Sequence, residues 1–129
     1  SLTYDNGVLI ATRGYSQDLL SLKYLRPAKI FTKSSVQYRK KHRYLSGTNS
    51  YDDIDFVCNG IKNTSDSLKL LDYKISVDTF LEECKSAKFE YVNEYTLLAG
   101  TSIVVKSKQW ISPINKYFIT TNFYAFQKF

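Results

Sequence analysis

The stretch Asp53–Phe89, DIDFVCNGIKNTSDSLKLLDYKISVDTFLEECKSAKF, constrains the fold most, because several signals within it agree on one order of elements. Ile54, Phe56, Val57 and Cys58 form a short β-prone apolar run that stops at Asn59-Gly60, the pattern of a mostly buried strand. A polar break follows over 62–66. Leu68, Leu70 and Leu71 then stand at helical spacing, with Ser65 or Asp66 placed to cap a short helix. Tyr73 to Val77 returns to strand character. Asp78 suits the positive end of a second helix, which would carry Phe80, Leu81, Cys84 and Ala87 on one face and Glu82, Glu83, Lys85 and Lys88 outside. Strand, helix, strand, helix predicts a parallel sheet with packed helices.

The N-terminal third extends this order. Residues 7–12 are a short apolar strand bounded by Arg13-Gly14, and Ser16 is placed to cap a helix whose Leu19, Leu20, Leu22 and Leu25 form the apolar stripe. Arg26-Pro27 should end that helix, since the residue before proline is pushed away from helical angles. Ala28 to Thr32, AKIFT, reads as a second strand. The expectation is an α/β fold, β-α-β-β-α-β-α, with a central parallel four-stranded sheet flanked by helices over residues 1–95. Residues 96–129 form an extension. Ser102 to Lys106 reads as a strand, Trp110 to Pro113 as a turn or edge, and Tyr117 to Tyr124 as aromatic and β-prone throughout. Such a segment exposes a large apolar area unless it packs back as an extra strand or hairpin; pairing with a partner peptide is the alternative.

At 129 residues the chain holds one core. Hydrophobic residues at 43% and charged residues at 23% are ordinary for a globular fold, while 11 Tyr and 8 Phe point to a well-filled core and away from disorder. No apolar run approaches the length of a transmembrane helix, and no basic-then-apolar leader opens the chain. The lack of any Met is expected of a fragment of a longer protein. Cys58 and Cys84 could pair by count alone, but each falls on the apolar face of its own expected element, where a free thiol behaves as a small apolar residue. Core thiols would place the chain in a reducing compartment. With one His and no CxxC, no metal site is expected.

Three segments resemble the BRCT domain family, the phosphoprotein-binding and scaffold modules of DNA-damage and chromatin proteins. IDFVCNG (54–60) is similar to the family's third strand. YKISVDTFLEEC (73–84) is similar to its last strand and final helix, with Phe80 where Trp is usual and Cys84 four positions on. FEYVNEYTL (89–97) is similar to the segment after that helix, with Tyr95 as its tyrosine. The usual Gly-Gly turn after the first helix is replaced by Leu25-Arg26-Pro27-Ala28, where proline can turn the chain by fixing its own φ. The resemblance implies a nuclear protein-interaction module of genome maintenance or chromatin silencing, recognising a short peptide with or without phosphorylation. It implies a phosphate pocket at Thr12, Arg13 and Gly14 with Lys62, or Lys69 if the helix begins later. A hydroxyl, a backbone N–H and cations there would hold the anion. In the other reading Thr12 satisfies a strand-end backbone group and Lys62 is solvated.

Residues 33–52 read as a long polar loop with the densest charge in the chain: Tyr38, Arg39, Lys40, Lys41, His42, Arg43 and Tyr44. It is either a solvated loop or, with the net charge of +6, a surface for nucleic-acid phosphates or another acidic partner, the tyrosines offering stacking faces. Direct nucleic-acid binding through 37–44 is therefore the second functional expectation. No nucleophile–base motif or glycine-rich phosphate loop appears. Asp52, Asp53 and Asp55 fit a solvated strand end. A non-enzymatic protein is expected, without cofactor, small-molecule substrate or membrane partner; a small nuclease using Lys, Tyr and His42 would have no linear signature.

Overall fold

The structure, a computed structural model, describes residues 2–5, 7–13, 18–24, 31, 34–45, 50–70, 72–112 and 116–121. Among these residues there is no α-helix. Nine strands follow one another: β1 Leu2–Asp5, β2 Val8–Thr12, β3 Leu19–Tyr24, β4 Ser35–Leu45, β5 Tyr51–Leu70, β6 Tyr73–Lys85, β7 Glu90–Leu98, β8 Val104–Ser112 and β9 Lys116–Thr121. Strands β3 to β9 form a seven-stranded sheet in sequence order, and β1 and β2 pair separately. Every pairing is antiparallel. The expected α/β fold with a parallel four-stranded sheet is thus corrected to an all-β meander, nearly closed into a barrel.

The misread helices have a common cause. Phe80, Glu82 and Cys84 all point inward from β6 and are buried, so the true period is two. A charged residue at an inward position hides that alternation, and Phe80, Leu81 and Cys84 then mimic a helical stripe. The same holds in β4, read as a loop, where buried Tyr38, Lys40, His42 and Tyr44 alternate with outward Gln37, Arg39, Lys41 and Arg43. Leu68–Leu70 is likewise no helix: Leu68 pairs with Ile75 and Leu70 with Tyr73 in the β5–β6 hairpin, where Asp72 adopts φ 70°. Leu19–Tyr24, expected as helix, pairs with Lys40–Tyr44 as β3.

Strand β5 is long enough to serve two partners. Tyr51–Ile61 pairs with β4 and Val57–Leu70 with β6, and a bulge between Asn63 and Asp66 marks where the hairpin continues past β4. β7 runs through the expected boundary at residue 95, and β8 and β9 continue the sheet. Of the strand expected over Ala28 to Thr32 only Phe31 is described, and it is not in a strand; the rest of that segment, Gly14, Ser16, Leu25-Arg26-Pro27, Leu71 and the segment beyond 121 lie outside the described residues.

A side-chain amide and a hydroxyl tie β2 and its approach to the neighbouring strands. Gln109 of β8 accepts from Leu9 N at 2.7 Å and donates to Gly7 O at 2.8 Å, while Leu19 N donates to Thr12 Oγ1 at 2.8 Å. β2 is therefore held to β3 on one side and β8 on the other. Gly7, at φ 84°, allows this approach: a Cβ there would lie 2.5 Å from the Val104 side chain.

The core combines Leu19, Phe31, Phe56, Phe80, Tyr91, Tyr95, Leu97, Trp110 and Ile111 with the cysteines. Trp110 stacks on Tyr91 with centroids 4.6 Å apart and planes inclined by 10°. Cys58 and Cys84 stand directly opposite on β5 and β6 and form a disulfide, which corrects the expected free thiols. Gly60 leaves room for the ring of Phe80, because a Cβ there would lie 2.2 Å from its Cζ. That ring is fully buried and has nowhere to retreat. Gly60→Ala should therefore destabilise the domain by about 1–3 kcal/mol, read as a lower urea midpoint with unchanged slope.

Candidate functional site

The inward positions of β4, β6 and β7 assemble a polar network inside the barrel. Glu82 accepts from Lys40 Nζ at 2.8 Å and from Asn93 Nδ2 at 2.8 Å through one carboxylate oxygen, and from the Tyr38 hydroxyl through the other. The side chains of Lys40 and Glu82 are 1% and 0% exposed. Lys40 Nζ also lies 5.4 Å from the centroid of the Tyr91 ring. Asn93 Oδ1 accepts from Trp110 N at 2.7 Å, just past Lys108, the last β8 residue in register with β7. One side chain thus replaces a missing rung of the ladder.

His42 stands beside this network, 2.9 Å from the Tyr44 hydroxyl through Nδ1 and 2.9 Å from the Tyr91 hydroxyl through Nε2. The Tyr44 hydroxyl donates its proton to Ile111 O. It must then accept from His42, which assigns the neutral Nδ1–H tautomer with Nε2 accepting from Tyr91. Burial, followed by the charge of Lys40, holds the His42 pKa well below its ordinary value of 6.5. Burial also keeps the Tyr44 hydroxyl protonated, raising its pKa far above the ordinary range.

The residues expected in a basic loop are thus divided by the pleat. Tyr38, Lys40 and Tyr44 are buried, whereas Arg39, Lys41 and Arg43 point outward. Outside, Arg43 grips Asp53 through two bonds of 2.9 and 3.1 Å and lies 3.9 Å from the Tyr51 ring centroid. The hydrogen bond to Asp53 is the main cause of its raised pKa. Lys41 lies 4.0 Å from Asp55. Lys41 and Arg43 thus face carboxylates of β5 in register, whereas Arg39 faces Val57.

Of the residues expected around a phosphate, Thr12, Arg13 and Lys62 engage partners of their own. Thr12 Oγ1 accepts from Leu19 N and donates to Asp18 Oδ1 at 3.2 Å. Arg13 donates to the carbonyls of Thr12 and Leu19. Lys62 donates to Phe31 O at 2.9 Å and lies 3.6 Å from Asp78, whose carboxylate accepts from Gly100 N. Lys69 is exposed and pairs across the hairpin with Lys74. Gly14 lies outside the described residues. Among the described residues no group of three or more His, Cys, Asp or Glu side chains could hold a metal ion.

Sequence reasoning missed Glu82, Asn93 and Gln109. The available signal was alternation of aromatic with polar residues, as in Tyr91-x-Asn93-x-Tyr95-x-Leu97 and Tyr38-x-Lys40-x-His42-x-Tyr44.

Fold and interior together define a small antiparallel, barrel-like domain with a buried disulfide and a buried, hydrogen-bonded ion pair. Over residues 1–122 the chain matches the family model described as group 4 capsule polysaccharide lipoprotein gfcB, YjbF, and it belongs to that family. The crystal structure of the hypothetical lipoprotein YmcC from Escherichia coli (K12) shares the fold, with a TM-score of 0.70 at 17% sequence identity. The match covers 86% of this chain and 62% of that one, so the chain spans less than two thirds of that structure. A comparison with curated proteins found no match.

Family membership and the all-antiparallel sheet overturn the BRCT resemblance. With it fall the nuclear phosphopeptide-binding scaffold, the alternative of direct nucleic-acid binding, and the nuclear peptide and DNA partners. The nuclear, reducing compartment is corrected on a second ground as well, the disulfide between Cys58 and Cys84.

Two outcomes follow from the interior. Lys40→Met leaves Glu82 buried without its cation and should cost about 3–5 kcal/mol in chemical denaturation. For His42, the native state resists a proton that the unfolded chain accepts below about pH 6.5. Stability is therefore full above that pH and falls as pH drops from there toward the native-state pKa. Denaturation midpoints measured from pH 7.5 down to about 5 should show this decline, with that contribution absent in His42→Gln.

Proposed function

We propose that this domain works in the bacterial cell envelope as the folded part of a lipoprotein that takes part in the export or assembly of a group 4 capsular polysaccharide. The observation that carries this reading is the family match over residues 1–122. The fold shared with a lipoprotein structure supports it, and so does the Cys58–Cys84 disulfide, a bond that persists in oxidising compartments such as the periplasm. The partners implied are components of the capsule export machinery or the polysaccharide itself. The role is structural or binding, without catalysis. Its support is that Lys40, His42 and Glu82 are fully buried, so this cluster of reactive side chains among the described residues offers no face to a substrate.

The test is deletion of the gene in its own host, followed by separate measurement of surface-bound and cell-retained polysaccharide. Surface capsule should fall and be restored by the intact gene; an unchanged capsule would refute the role. In the same cells, thiol alkylation should find Cys58 and Cys84 blocked in the envelope fraction. Free thiols there would refute the compartment.

A further inference from the structure

Positive charge is unevenly matched across the sheet. On the outside of β4, Arg43 and Lys41 face Asp53 and Asp55 across the β5 register. Residues 95–129 hold four lysines and no Asp or Glu. Two of those lysines, Lys106 and Lys108, are exposed on the outward face of β8. Being two residues apart on one strand, they stand about 7 Å from each other on the same side. Thr96 and Thr121 flank Lys106 in register, so no carboxylate lies directly across from it on either strand. Lys108 has Glu94 across on β7 and Ile119 across on β9.

The surroundings position these cations. Lys108 Nζ lies 5.0 Å from the centroid of the Tyr117 ring, and the Tyr117 hydroxyl accepts from Val92 N at 3.3 Å. The ring is thereby anchored across β8 to β7, which holds the ammonium over a fixed aromatic face. Beside it Ile119 is 65% exposed, among the most exposed large apolar side chains described. A cation pair next to an open apolar side chain, on an extended sheet face, fits a polymer that is itself extended and presents both anionic groups and C–H faces. Acidic sugar chains have that combination.

We propose that the outward face of β8 and β9 is the docking surface for an acidic polysaccharide, with Lys106 and Lys108 taking its anionic groups and Ile119 the apolar faces of its sugar rings. The proposal rests on the capsule reading above and names the chemical class of its substrate.

Calorimetric titration of the chain with polygalacturonate, with neutral dextran and with phosphatidylglycerol vesicles tests it. Polygalacturonate should bind, more weakly as salt is raised, and dextran should not. Lys106→Gln with Lys108→Gln should weaken binding by about tenfold or more, whereas Lys41→Gln with Arg43→Gln should change it by less than about twofold. Circular dichroism melting of both double variants verifies that they fold. Absence of polygalacturonate binding, equal weakening by both pairs, or binding to the vesicles alone would overturn the proposal, the last by indicating a lipid surface. Failure of this proposal separates from failure of the capsule role in cells. If deletion lowers surface capsule and the Lys106→Gln, Lys108→Gln gene restores it fully, only the docking surface is refuted; if deletion changes nothing, the role is.

Discussion

Lys40 and Glu82 meet at 2.8 Å with almost no exposure, and much of the remaining interior is arranged to make that contact tolerable. Desolvating either ion alone costs several kcal/mol, and direct attraction compensates only when further hydrogen bonds complete the pair. Tyr38 and Asn93 supply them, and the Tyr91 ring adds a face for the ammonium. The net gain in stability from such a pair is small, but its demand on register is large. A one-residue slip of β4 against β5 would turn both Tyr38 and Lys40 outward and take them from Glu82. In the observed alignment Glu82 receives Tyr38 and Lys40 from β4 and Asn93 from β7. The buried charge therefore acts chiefly to select that alignment.

The disulfide reinforces the same choice one row away. Tyr38 is level with Cys58, and Cys58 with Cys84, so the covalent bond and the tyrosine contact to Glu82 arise from adjacent rows of the same three strands. The pairing needs Cys58 and Cys84 opposite each other, which the ion-pair register provides. Around this fixed centre the sheet still has a gap to bridge, because β3 and β9 are not neighbours. Gln109 and Thr12 bridge much of it by presenting side-chain amide and hydroxyl groups where a neighbouring strand would present its backbone. Asn93 does likewise where β8 leaves β7. The domain thus uses interior polar side chains as substitutes for missing strand partners, and its core is correspondingly rich in them.

That construction decides what could be read from the sequence. Strands whose inward residues are apolar were legible: residues 7–12, Ile54–Cys58 and Tyr73–Val77 show their β character openly. Strands whose inward rows carry Lys40, His42, Glu82 or Asn93 were not, since the alternation that betrays a half-buried strand depends on the inward residues being apolar. In β6 the loss of one apolar position at Glu82 was enough to make the remaining ones fit a helix, and from that helix followed a parallel sheet, a family resemblance and a compartment. The cysteines depend on the same assignment. On a strand and a helix they would be separate core thiols; on adjacent antiparallel strands they are directly opposite, and a bond between them needs only an oxidising environment. The polar residues placed at inward positions to specify the register are thus the ones that conceal it from a reading based on hydrophobic period alone.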